Sequence, residues 1–123
     1  MRFIKSAAIG TNPGTGKQLV EISKTIVAEA GRITSFDFLV NLDVYEIRTI
    51  YAKSDNDNPI VLSIFDNKNG GQEIYRSLSQ AVVNDIAMVP CKDKSGNKEL
   101  HIQVNNPGTN TIHIELAIKL TSL

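Results

Sequence analysis

The chain has 123 residues, enough for one domain whose core needs no disulfide staples. Its 13 basic and 13 acidic side chains cancel, which excludes a global field that would attract nucleic acid or an anionic membrane. A single cysteine excludes an intramolecular disulfide.

The N-terminal stretch combines a strand pattern with a glycine-rich loop. Residues 2–9 predict a short strand, and Gly10–Gly16 is a loop by its glycine and proline content. We expect residues 1–16 to form a partly flexible arm. The loop is similar to a P-loop, but Thr11 stands where the first glycine belongs and Gln18 where the hydroxyl residue belongs. We therefore exclude nucleotide hydrolysis.

The segment 17–30 fits two secondary structures. Helical spacing is present in Leu19, Ile22, Ile26 and Ala30. A period of two, interrupted by Lys24, is present in Val20, Ile22, Ile26 and Ala28. Because the segment is rich in β-branched residues, we favour a strand.

Residues 32–65 have the pattern of successive strands. One apolar face is predicted to carry Phe36, Phe38, Val40 and Leu42, and the next strand a face of Tyr45, Ile47, Thr49 and Tyr51. The turn-forming cluster Ser54–Pro59 then precedes Ile60–Phe65, a nearly continuous apolar strand.

A second ambiguous segment covers residues 72–89. An apolar residue recurs every four positions, as in a helix, at Ile74, Leu78, Val82 and Ile86. The alternative is a pair of strands, Glu73–Ser77 and Ile86–Pro90, joined by a loop.

The last quarter predicts a β-hairpin. Leu100–Val104 and Ile112–Leu120 alternate apolar and polar residues around the turn-forming stretch Asn105–Asn110. The predicted inner pairs are Val104/Ile112, Ile102/Ile114 and Leu100/Leu116, and the outer pairs are Gln103/His113 and His101/Glu115. The outer face is polar with little charge, so we identify a candidate subunit interface in Gln103, His113, His101 and Glu115.

These elements predict an all-β fold, an antiparallel β-sandwich with jelly-roll-like strand spacing, in a single domain over 1–123. The alternative is an α+β domain, which would result if segments 17–30 and 72–86 were both helical.

Aromatic and polar loop residues provide candidate ligand sites. A carbohydrate or another small ligand would use Tyr45, Tyr51 and Tyr75. The absence of tryptophan argues against this second function. Oxygen donors for a weak calcium site alternate at Asp93, Ser95, Asn97 and Glu99. Solvated turns explain the same residues, so we expect no bound metal and no cofactor.

Two acidic residues have the spacing that begins an EF-hand loop, Asp55 and Asp57. Pro59 and Ile60 occupy positions that require a ligand and the turn glycine, so the motif is incomplete.

An enzyme would have to use Cys91, His101 or His113. No residue is spaced to orient a histidine base beside the thiol, and two imidazoles on a flat sheet give no zinc site. We therefore predict a protein that is not an enzyme.

The remaining hypothesis is a structural protein that forms a homo-oligomer or part of a larger particle. In general character, a short chain with closely spaced strands, it is similar to small virion proteins of tailed phages, although no diagnostic motif supports the similarity. That similarity implies a capsid decoration or tail protein. No signal-peptide pattern is present, so we expect synthesis in the cytoplasm, incorporation into a virion or other particle, and partners that are copies of itself or other structural subunits.

Overall fold

The computed structural model describes residues 7–11, 18–40, 44–66, 71–92 and 99–122. These residues form strands and one short 3-10 turn over Asp55–Asp57. The strands are β1 (Ala7–Thr11), β2 (Gln18–Ala28), β3 (Arg32–Leu39), β4 (Val44–Ser54), β5 (Val61–Phe65), β6 (Glu73–Arg76), β7 (Val82–Lys92), β8 (Glu99–Asn106) and β9 (Ile112–Ser122).

The strands form two antiparallel sheets. The five-stranded sheet has the order β1-β2-β9-β4-β7 and the four-stranded sheet the order β3-β8-β5-β6. One apolar core, which includes Ile22, Ile50, Leu62, Ile102 and Ile118, lies between them. The predicted β-sandwich is therefore confirmed, and the α+β alternative is wrong.

Within segment 17–30, residues Gln18–Ala28 form a strand, as favoured. Its inward row contains the buried side chains of Val20, Ile22, Ile26 and Ala28. Lys24 occupies the remaining inward position, and its Nζ lies 5.7 Å from the centroid of the Phe36 ring. A lysine fits this row because its aliphatic stem covers apolar surface while the ammonium group reaches an aromatic face.

Segment 72–89 forms two strands, and the second begins at Val82 rather than at Ile86. Ile74 packs against the core, whereas Leu78 and Ile86 are 77% and 80% exposed. The helix suggested by the four-residue spacing is therefore wrong, because its apolar row does not share one buried face.

The final two strands do not form a hairpin. β8 pairs with β3 and β5, whereas β9 pairs with β2 and β4, so the chain crosses from one sheet to the other. The predicted alternation is confirmed, since the inward residues of both strands are buried. The predicted cross-strand pairs are wrong: Val104/Ile112, Ile102/Ile114, Leu100/Leu116, Gln103/His113 and His101/Glu115.

A buried amide holds this crossing in place. Asn106 Nδ2 donates to the carbonyl of Ala28, at 3.1 Å, and to that of Asn110, at 2.8 Å. Its Oδ1 accepts from the Gly108 amide at 3.1 Å, which closes a turn of the kind that asparagine favours. β2 ends at Ala28, and the chain then crosses to the other sheet through Gly31, whose φ is +66°. One side chain thus ties two crossings together.

A β-bulge reverses the alternation of β4. Its ladder with β9 shifts between Ile47 and Thr49, which leaves Arg48 as the extra residue. The buried residues are Tyr45 and Ile47 before the bulge, and Ile50, Ala52 and Ser54 after it. Tyr51 therefore lies on the outer face of the sheet. The predicted single face that carries Tyr45 and Tyr51 is wrong.

The predicted N-terminal arm lies partly within the sheet. Residues Ala7–Thr11 pair with Ile22–Gln18 of β2 as the outermost strand. The other residues of the arm lie outside the described part of the chain.

Candidate functional site

The three candidate tyrosines lie in three different environments. Tyr45 is 3% exposed and belongs to the core, so it offers no surface for a ligand. Tyr75 is half-buried on β6, at one edge of the sandwich. Tyr51 lies on the outer face of the five-stranded sheet. The three residues therefore do not form one site, and Tyr51 is the one on an outer sheet face.

Tyr75 closes the open edge between the two sheets. Its hydroxyl donates a hydrogen bond to Asp85 Oδ2, which joins β6 of the four-stranded sheet to β7 of the five-stranded sheet. Burial raises the pKa of Tyr75 above its usual value, and the hydrogen bond to Asp85 raises it further. The contact is thus structural and depends on a protonated phenol.

Stability should fall at alkaline pH through this contact. A tyrosine in the unfolded chain has a pKa of about 10, and the pKa of Tyr75 in the folded protein is higher. The stabilisation is therefore complete below about pH 10 and decreases as pH rises through the folded pKa. We expect Tyr75→Phe to lower the free energy of unfolding by about 1 kcal/mol at pH 7. The difference in this free energy between wild type and variant should narrow above about pH 10. Urea unfolding across this pH range tests it, and a gap of constant size would contradict it.

Small side chains beside Tyr51 leave a depression on the outer face of the five-stranded sheet. Ala117 of β9 pairs with Tyr51 on one side and with Ser23 of β2 on the other. The neighbouring row runs Thr25, Glu115 and Lys53 across the same strands. Because residues two apart in a strand share a face, these two rows form one polar surface with a single aromatic ring.

Two adjoining depressions form a groove across this face. The first has a volume of about 320 Å³ and is lined by Tyr51, Ala117 and the neighbouring residues of β2 and β9. The second has a volume of about 440 Å³ and lies over the start of β9 and residues 53–57. Thr25 and Glu115 line both depressions, so the two adjoin along β9. We call this surface the Tyr51 groove.

The far end of the Tyr51 groove is built by a tight turn. Asn56 and Asp57 have positive φ values, 59° and 54°. Asp55 Oδ1 accepts from the backbone amide of His113 at 3.0 Å, and its Oδ2 lies 3.3 Å from His113 Nδ1. This carboxylate fixes the turn against the beginning of β9, which gives the groove a defined end wall.

The four candidate interface residues do not share one surface. His113 and Glu115 lie on the outer face of the five-stranded sheet, in the groove. His101 and Gln103 lie on β8, in the four-stranded sheet. The interface predicted from these four residues depended on a hairpin that does not form.

His101 has partners on its own sheet. Its Nδ1 lies 2.7 Å from Asp37 Oδ1, and its Nε2 lies 3.1 Å from Gln103 Nε2. The ring also contacts Phe65, with 5.7 Å between ring centroids. A neutral imidazole that donates from Nδ1 and accepts at Nε2 satisfies both hydrogen bonds. These contacts link β3, β8 and β5.

Most of the predicted calcium donors lie outside the described residues, namely Asp93, Ser95 and Asn97. Glu99 is buried at the start of β8. Within the described ranges, no three histidine, cysteine, aspartate or glutamate side chains are grouped so that they could hold a metal ion. The backbone of Cys91 pairs with Tyr45 in the five-stranded sheet, whereas His101 lies in the four-stranded sheet.

Three exposed apolar side chains lie in β7 or just before it. Leu78, Val82 and Ile86 lie within residues 78–86, and all three are exposed. The four-residue spacing in the sequence identified these positions but left a helix and a pair of strands open. The sequence could not show that β7 is the last strand of its sheet, with a described strand on one side only.

Among the residues that the structure describes, no helix is long and apolar enough to cross a membrane.

Comparisons with known proteins show distant structural likeness. No protein family and no curated protein matches the chain. A chain of the cyanophage Pam1 capsid asymmetric unit has 17% sequence identity and a TM-score of 0.49, covering 98% of this chain and 94% of that one. A chain from "CBM4 structure and function" has 10% identity and a TM-score of 0.39, covering 90% and 86%. Neither likeness indicates what this chain binds or assembles with.

Proposed function

We propose that this protein is a non-enzymatic structural subunit that assembles with further copies of itself. It would act as a homo-oligomer or as part of a larger particle, such as a capsid decoration or a tail component of a phage. The observation that supports the proposal is the exposure of three apolar side chains, Val82 and Ile86 on the edge strand β7 and Leu78 just before it. Apolar side chains this exposed on a sheet edge are typical of surfaces covered by a partner.

The edge strand itself favours pairing at one end. Natural edge strands are protected by bulges and prolines, and β7 has both in its second half. Its ladder with β4 shifts between Thr49 and Ile47, opposite residues 86–89, and Pro90 follows. The first half, Val82–Ile86, precedes these features. An incoming strand would therefore add at residues 82–86, where the exposed apolar side chains also lie.

A second copy of the chain suits this edge. Its formal net charge is zero, so copies do not repel one another over long distances. An antiparallel pair of β7 strands related by a two-fold axis would bring the same apolar residues from both copies together. The pair would join two five-stranded sheets edge to edge.

Ile86→Lys should dissociate the assembly. The substitution replaces an 80% exposed isoleucine by a cation and brings two like charges together across the two-fold axis. We expect the association constant to fall by about tenfold or more, which corresponds to about 1.4 kcal/mol or more. Light scattering of the purified protein over a wide concentration range measures the mass of both forms.

Ile33→Lys is the matched control. Ile33 is 60% exposed on β3, the edge strand of the other sheet, so the substitution has the same chemistry at a different edge. The wild-type mass should be that of an oligomer, and the control should retain it. A wild type that is monomeric at every concentration would contradict the proposed function. Dissociation by Ile33→Lys alone would place the interface on the wrong edge.

A further inference from the structure

We propose that the Tyr51 groove binds a linear, electrically neutral oligosaccharide. This inference goes beyond assembly and concerns other residues. Val82 and Ile86 belong to β7, the strand next to β4, whereas the groove crosses β2, β9 and β4 on the outer face of the same sheet.

The shape of the groove favours a chain over a compact ligand. Its two depressions, of about 320 and 440 Å³, each reach the size range of ligand sites, and they share Thr25 and Glu115. The groove is therefore elongated. Its long direction runs along β9, from Ala117 to His113, so successive sugar rings could lie in successive depressions.

The lining supplies the two contacts that a sugar ring requires. A pyranose presents a face of C–H groups and a rim of hydroxyl groups. Tyr51 offers an aromatic ring for the first contact, and the small Ala117 and Ser23 beside it leave room for a ring above the sheet. Glu115 and Lys53 lie in the next row, where a carboxylate can accept from hydroxyl groups and an ammonium can donate to them.

The charges in the groove favour a neutral ligand. Lys53 is a cation beside Glu115, and Asp55 holds His113 at the far end. Asp57 lines the same depression. Three carboxylates and Lys53 thus share the groove, and the acidic residues would repel a polyanion. A chain that carries only hydroxyl groups can use both signs, because each hydroxyl is a donor and an acceptor.

Binding of defined oligosaccharides tests the proposal. Isothermal titration would use cellohexaose, maltohexaose, laminarihexaose, mannohexaose and xylohexaose as neutral probes, with a heparin hexasaccharide as the anionic probe. We expect saturable binding of at least one neutral probe and weaker binding of the anionic one. No binding of any neutral probe, or preference for the heparin fragment, would overturn the proposal.

Two variants locate the site. Tyr51→Ala removes the aromatic ring and should weaken binding by about tenfold or more. Ala117→Leu fills the depression beside the ring and should also abolish most of the binding, while both proteins keep the far-ultraviolet spectrum of the wild type. Binding that persists in both variants would overturn the assignment.

Matched controls separate the groove from other surfaces. Gln103→Ala alters the other sheet and should leave the affinity unchanged. Ile86→Lys should retain binding even when it dissociates the assembly, because the ligand would contact a single copy. Loss of binding in Ile86→Lys would contradict a groove formed by β2, β9 and β4 of one chain.

Discussion

Replacing Ile114 with aspartate is expected to destabilise the protein by about 3 kcal/mol or more, a large part of the stability of a domain this size. Ile114 is fully buried on β9, where it pairs with Ile26 of β2 and Ser54 of β4. The carboxylate would lie in the apolar core between the sheets, so it would lose its hydration without gaining a cationic partner. Urea unfolding followed by circular dichroism measures the loss.

His113→Ala is the control for this prediction, because it alters the adjacent residue on the opposite face. His113 is exposed, and its ring lies 3.3 Å from Asp55 at the surface. Exposed ion pairs contribute less than about 1 kcal/mol, and the bond from the His113 backbone amide to Asp55 is retained. A large loss in His113→Ala with little in Ile114→Asp would mean that β9 faces the other way.

The second large effect is expected at Asn106, where alanine should cost about 3 kcal/mol or more. The side chain is fully buried and takes part in three hydrogen bonds, with the backbones of Ala28, Gly108 and Asn110. Alanine would leave the buried carbonyl of Ala28 without this donor, and the backbone groups of Gly108 and Asn110 without their partner in the turn. It would also free both crossings between the sheets. Urea unfolding gives the magnitude.

Asn110→Ala is the matched control for Asn106→Ala. Asn110 is exposed in the same turn, and it contributes its backbone carbonyl to Asn106, which the substitution keeps. We expect a change within about 0.5 kcal/mol. Equal losses in the two variants would show that the turn itself, rather than the buried amide, stabilises the crossing.

The candidate groove was partly accessible from the sequence. Tyr51 was identified as a ligand-binding residue because exposed aromatic rings are typical of such sites. Tyr45 was grouped with it because an uninterrupted strand places residues six apart on one face. The bulge at Arg48 interrupts the alternation, so Tyr45 lies in the core while Tyr51 lies on the outer face. Ala117 carries no signal of its own, since a small residue marks a depression only when its neighbours across the strands are known.

In the strands without a bulge, the apolar pattern alone shows which side chains face the core. Alternation is a local property, because successive side chains of a strand point to opposite sides whatever the strand pairs with. The inward rows of β2, β8 and β9 follow from it, as does the all-β class. The apolar spacing at Leu78, Val82 and Ile86 is also visible in the sequence, but it predicts neither their secondary structure nor their exposure.

The pairing of the strands, in contrast, is visible only in the folded domain. A hairpin within one sheet and a crossing between two sheets both place alternating apolar residues toward one core, so β8 and β9 have the same pattern in either case. The crossing prevails because each strand is central in its own sheet, with partners on both sides. Those partners are distant in the chain, and the Asn106 hydrogen bonds fix the crossing once they have assembled. Strand pairing is therefore a property of the whole domain, whereas the burial pattern belongs to each strand.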